Sequence, residues 1–159
     1  MFNRFSRSAR AAVQAAVEEA ERRGDARVGT EHLLLGILHE AGSSAARVLG
    51  VDVVTARAEL QAMDVDALAS VGIDLGPGND AFLAPRPSRA GGHRPFTSAA
   101  KAALVRTLVE AQRRGDRRLE PLHLLLALLD ADPREPVARL LARFDVDPAA
   151  VRAQLSAAA

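Results

Sequence analysis

Two residues of this chain have the type and spacing to hold a charged ligand. They are Thr30 and Glu31, at the head of the run Leu33-Leu34-Leu35-Gly36-Ile37-Leu38. A hydroxyl followed by a carboxylate in front of an apolar run marks a helix start, with Thr30 predicted as the N-cap and Glu31 in the first turn. Such a start leaves amide N–H groups open to an anion, and a carboxylate beside them accepts hydrogen bonds from a planar cation. A ligand carrying both charges would engage both. The alternative is that Glu31 only steadies the helix dipole.

The other polar candidates are weaker. His32 and His123 fall at equivalent helix starts, and neither has further ligands spaced for a metal. They are expected to hydrogen-bond within their own segments. Arg4, Arg7 and Arg10 form either a basic patch for phosphate or a solvated face. Phe2, ahead of the first helix, has two open roles: a core plug, or part of an exposed peptide-docking surface. Asp64, Asp66, Asp74 and Asp80 do not follow the spacing of a calcium loop. No nucleotide fingerprint occurs, since the sole lysine, Lys101, sits in a helical pattern. With no cysteine and no serine in an elbow context, no nucleophile–base constellation is legible. The expectation is a chain without catalytic residues, cofactor or metal.

Composition narrows the partners. At 48% hydrophobic and 26% charged, the 159 residues can bury a core. A net charge of +1 offers no global field for a polyanion, and the absence of Trp and Tyr leaves few platforms for base stacking. A helical nucleic-acid-associated regulator using the arginine clusters is therefore the lesser alternative. No apolar run approaches the ~20 residues of a membrane span, and Met1 to Arg7 has no apolar leader core. A cytoplasmic location without membrane attachment is expected.

The elements that must position these residues all read as helices. Ser6 caps the first, to about Arg23, and Gly24 ends it. The Thr30 helix runs to about Glu40. Ser43 opens a short helix to Leu49, and Asp52 caps another to about Met63. A further short helix is predicted over Asp66 to Val71. Gly76-Pro77-Gly78 and Pro85-Arg86-Pro87 have linker composition, in which Phe82 and Leu83 are candidate anchors. Thr97 caps a helix to Arg114, Pro121 opens one to Leu129, a third covers Glu135 to Arg143, and Asp147-Pro148 opens the last.

The second half repeats the first. At an offset of 91 residues, Phe5–Leu38 aligns without gaps on Phe96–Leu129, with about 16 of 34 positions identical. The shared residues include Arg22-Arg23-Gly24-Asp25 with Arg113-Arg114-Gly115-Asp116, and His32 with His123. The reading is all-α: two pseudo-symmetric four-helix units, residues 1–63 and 96–159, joined by a Gly/Pro-rich linker over 64–95 and sharing one compact core.

Phe5, Ala9-Arg10 and Gly29-Thr30-Glu31-His32-Leu33-Leu34-Leu35-Gly36-Ile37 resemble the Clp repeat pattern of the N-terminal domain of Clp ATPases of the ClpA/ClpC class. Met1-Phe2, Arg4-Phe5 and Arg94-Pro95-Phe96-Thr97 are similar to ClpC in particular. The resemblance covers nearly the whole chain, although the stretch between the repeats is longer than the pattern leads one to expect. It implies a non-catalytic module that receives substrate proteins, peptides and adaptors for a Clp unfoldase or protease. In ClpC-like members it also implies recognition of phosphoarginine, the motif glutamate holding the guanidinium and nearby donors the phosphate. By position the candidate site is Val28, Gly29, Thr30 and Glu31, with Phe2 and Arg10 as flanking candidates. The second copy departs, with Glu120, Pro121 and Leu122 at the places of Gly29, Thr30 and Glu31, so its site is expected to be lost. That departure and the long linker lead to the expectation of a stand-alone protein, either assisting or competing with a full-length unfoldase, or sequestering peptide ligands.

Overall fold

A computed structural model describes residues 2–77 and 93–157, and of Phe2 the backbone alone. A 3-10 turn, Phe2–Arg4, leads into four helices: α1 (Arg7–Arg23), α2 (Thr30–His39), α3 (Ser44–Leu49) and α4 (Val53–Ser70). A second set follows: α5 (Ser98–Arg114), α6 (Pro121–Leu129), α7 (Pro136–Arg143) and α8 (Pro148–Ala157). Ser6, Ser43, Asp52 and Thr97 each accept the amide three residues on, as their N-cap positions predict. Gly24 and Gly115 end α1 and α5 in the left-handed region, at φ 76° and 75°.

The two leucine-rich helices, α2 and α6, form the centre. Leu33, Leu34, Leu35 and Ile37 of α2 and Leu124, Leu125 and Leu128 of α6 have no exposed surface. Each such side chain contributes about 1.5–3 kcal/mol of burial. The helix α2 touches α1, α3 and α4 of its own repeat and α5, α6 and α7 of the other, so the repeats share one core. Gly36 is required by the closest of these contacts. A Cβ there would lie 2.0 Å from the carbonyl oxygen of Ala12 and 3.0 Å from the amide nitrogen of Ala16.

Two short β-bridges stitch the repeats together reciprocally, Phe5 with Leu119 and Val28 with Phe96. In the first, the Ser6 amide donates to the Leu119 carbonyl and the Leu119 amide to the Arg4 carbonyl, both at 2.9 Å. The second has the same pattern, Thr97 to Val28 and Val28 to Pro95, again at 2.9 Å. The partners correspond across the 91-residue offset, which is the pseudo-two-fold relation read in the sequence.

One boundary differs from expectation. The predicted break after Met63 is absent, and α4 continues to Ser70. No Gly or Pro interrupts 53–70, and two arginines tie the extension down: Arg23 to Asp64, and Arg143 of α7 to Asp66 and Glu59, each at 2.8 Å. The stretch containing Phe82 and Leu83 lies outside the described residues.

Candidate ligand-binding site at the start of α2

The chain leaves α1 through Gly24, passes Asp25 and is pinned by the Val28–Phe96 bridge just before α2 begins. The N-cap is Gly29, not Thr30 as the sequence suggests. Thr30 is the first helical residue and is 1% exposed. The reason is His32. Its Nδ1 accepts the Gly29 amide at 2.8 Å, and its Nε2 contacts Asp25 Oδ2 at 2.8 Å. Because Nδ1 accepts, Nε2 carries the ring hydrogen and donates to the carboxylate. The imidazole thus performs the reciprocal half of a capping box, which places the cap one residue earlier.

Burial tends to raise the Asp25 carboxyl, but the hydrogen bonds from His32 and Arg23 and the Arg23 charge outweigh it and hold the group at about 2. His123 repeats the clasp, accepting the Glu120 amide at 2.9 Å and donating to Asp116 at 2.8 Å. Both histidines are 1% exposed. Their role is structural, and among the described residues no three His, Cys, Asp or Glu side chains are placed to hold a metal ion.

Glu31 takes no part in that clasp. Its carboxylate folds back over the α-carbon of Gly29, where an added Cβ would lie 2.3 Å from Oε2. It stays 17% exposed, with Oε1 at 3.5 Å from His32 Nδ1. Beside it the first-turn amides of Thr30, Glu31 and His32 have no intrahelical acceptor. The Thr30 hydroxyl is buried without a hydrogen-bond partner, a costly arrangement. A carboxylate, a set of open amides and an unpaired hydroxyl are therefore grouped at the positive end of a ten-residue helix.

Other candidates fall differently. Val28 is fully buried and serves through its backbone, in the bridge to Phe96. Arg10 is exposed on α1, one turn beyond Ser6, whose amide bonds Leu119. The side chain of Phe2 lies outside the described residues. In the second repeat the clasp survives without the carboxylate: Pro121 is buried and Leu122 half-buried where Thr30 and Glu31 stand in the first.

The sequence reading missed the contribution from the other repeat. The Thr97 amide bonds the Val28 carbonyl, which brings the start of α5 beside Gly29. Lys101, one turn further along α5, is exposed and has no ion pair among the described residues. The repeat offset was legible, but nothing local says that each repeat's motif meets the other repeat's first helix.

Two apolar hollows occupy related places. One, of about 450 Å³, is lined by residues including Leu38, Ala46, Val51 and Val53. Its counterpart, of about 340 Å³, has Leu129, Ala138, Val146 and Pro148 among its lining.

The helices and reciprocal bridges define a double-repeat, all-α domain. The sequence matches the Clp repeat (R) N-terminal domain over residues 4–81 and 95–159, and the chain belongs to that family. It is 36% identical over 132 residues to the chloroplastic chaperone protein ClpC2 of Oryza sativa subsp. japonica, which covers 81% of this chain and 12% of that protein. It is 33% identical to a chloroplastic ClpA homolog, an ATP-dependent Clp protease ATP-binding subunit, of Brassica napus, covering 81% of this chain and 13% of that protein. The chain thus spans about an eighth of the length of these relatives. Its fold is similar to the N-terminal domain of ClpD from Arabidopsis thaliana, at TM-score 0.70 and 20% identity over 99% of this chain and 95% of that one. It is also similar to the Hsp104 N-terminal domain from Candida albicans, at TM-score 0.63 and 16% identity over 95% and 88%. Among the described residues no helix is long and apolar enough to cross a membrane.

Proposed function

We propose that the chain is a non-catalytic protein- and peptide-binding module, and that its first repeat recognises arginine-phosphorylated segments at the start of α2. The partners are then substrate proteins, and adaptors or other components of a Clp unfoldase or protease. Binding without delivery would make the same module a sequestering one. The observation that carries this reading is the grouping at one helix end of the Glu31 carboxylate, the open amides of Thr30 to His32 and the unpartnered Thr30 hydroxyl. Phosphoarginine presents a planar cation and an anion at fixed separation, which that pairing complements. Lys101, brought in from α5, adds a positive charge for the phosphate side. The apolar hollows offer room for neighbouring side chains of a bound segment.

The test is a titration of the isotope-labelled chain with free phosphoarginine, followed by amide chemical shifts. The expected result is saturable movement of Thr30, Glu31 and His32, with Leu122 and His123 still. Movement confined to other amides, or none, would overturn the assignment.

A further inference from the structure

The two bridges make the same backbone bonds, yet their flanks differ in charge. At the Phe5–Leu119 bridge both partner side chains go inward, 2% and 0% exposed. The Leu119 amide bonds the Arg4 carbonyl, so the backbones of Arg4, at the end of the 3-10 turn, and of Arg118 lie side by side, and both residues are exposed. Arg117 precedes Arg118 on one segment, and Arg7, the first residue of α1, comes two residues after Phe5 on the other. All four arginines are exposed. None has an ion pair among the described residues; Arg10, Arg27, Arg47, Arg94, Arg106, Arg134 and Arg139 also have none, but Arg4, Arg7, Arg117 and Arg118 are gathered at one bridge.

The Val28–Phe96 bridge serves as an internal control. The equivalents of Arg4, Arg7 and Arg117 there are Pro95, Ser98 and Ala26; only Arg118 has a basic counterpart, Arg27. The bridge forms equally well with that set, so the fold does not require the arginines. Among residues 3–7 and 117–120 the one acid is Glu120, against four arginines. Leu122 supplies no carboxylate to a cationic ligand, and Pro121 has no N–H to offer.

We propose that this arginine face docks an acidic segment of a partner protein, one carrying several Asp or Glu carboxylates. Guanidinium forks match carboxylates bidentately, and four close together without internal partners form a local positive field. The chain as a whole carries only +1 and has neither Trp nor Tyr, so this local cluster stands in a nearly neutral chain and comes without Trp or Tyr platforms for stacking bases. That favours a protein partner over a nucleic acid. The first repeat then faces a doubly charged ligand and the second an anionic one.

The probe is a fluorescent glutamate-rich peptide, titrated by anisotropy at about 50 mM and about 300 mM salt. The expected result is saturable, salt-sensitive binding that weakens about tenfold in Arg4→Gln/Arg118→Gln and less than about twofold in Arg27→Gln/Arg134→Gln. Both pairs are exposed, and equal melting temperatures would show that the fold is intact. No binding at low salt, or equal weakening in both variants, would overturn the proposal. So would tighter binding of an oligothymidine with the same dependence on Arg4 and Arg118, which would make the face a nucleic-acid surface.

Discussion

Replacing Gly36 by alanine should force α1 and α2 apart. The new methyl would lie 2.0 Å from the Ala12 carbonyl oxygen and 3.0 Å from both the Ala12 carbonyl carbon and the Ala16 nitrogen, all of them backbone atoms. Carbon–oxygen contacts settle at about 3.3 Å or more, so the helices must separate by about 1 Å. Overpacking of this kind costs about 1–3 kcal/mol, and the rigidity of the neighbours puts this case at the upper end. Alanine returns about 1 kcal/mol of helix propensity. The net loss is about 2 kcal/mol, which for a chain of this size lowers the melting temperature by about 4–8 °C. Ala127 is the equivalent residue of α6, so Ala127→Gly tests the other direction. It should cost only about 1 kcal/mol, from propensity. Thermal melts followed by far-UV circular dichroism decide the matter. A Gly36→Ala melting temperature equal to or above that of the unsubstituted chain would refute the close-contact argument.

Three further outcomes follow from the geometry. Glu19 is 2% exposed and bonded to Arg57, His39 and Arg22; burial would raise its carboxyl, but these partners hold it at about 2 against an ordinary 4.5. Its stabilisation is therefore complete above about pH 4.5 and lost as pH falls towards 2. Its partners Arg57, His39 and Arg22 are partly exposed, so Glu19→Gln should cost about 1–3 kcal/mol near neutral pH and flatten the acid limb of urea midpoint against pH. Gly29→Ala places a methyl where the Glu31 carboxylate lies. That carboxylate is the end of a flexible side chain, so the melting temperature should stay within about 2 °C. Phosphoarginine affinity should meanwhile fall about tenfold, by calorimetry. The triple substitution Glu120→Gly/Pro121→Thr/Leu122→Glu clears the place of the carboxylate and rebuilds the missing donor and carboxylate, and should raise calorimetric stoichiometry from one site to two.

The helix starts were legible because their chemistry is local. Ser6, Ser43, Asp52 and Thr97 cap through their own side chains, three residues away. The repeat was legible because its residues recur in register. Thr30 was misread as the cap because His32 reaches back and takes the amide that defines the position, a bond that depends on Asp25 orienting the ring. The length of α4 was hidden for a different reason. Arg23 and Arg143 reach Asp64 and Asp66 from far along the chain, and no window of sequence shows that. The contribution of α5 to the candidate site was hidden in the same way, since it rests on the Val28–Phe96 bridge. Glu31 is a candidate by its type and position, and the structure adds that its carboxylate lies where a side chain at position 29 would begin.

Calorimetric titration with free phosphoarginine, of the unsubstituted chain and of Glu31→Ala, tests the central proposal most directly. The account predicts one site per chain, abolished by the substitution. Two sites, or binding that survives Glu31→Ala, would contradict it, and no binding to the unsubstituted chain would remove phosphoarginine as the ligand.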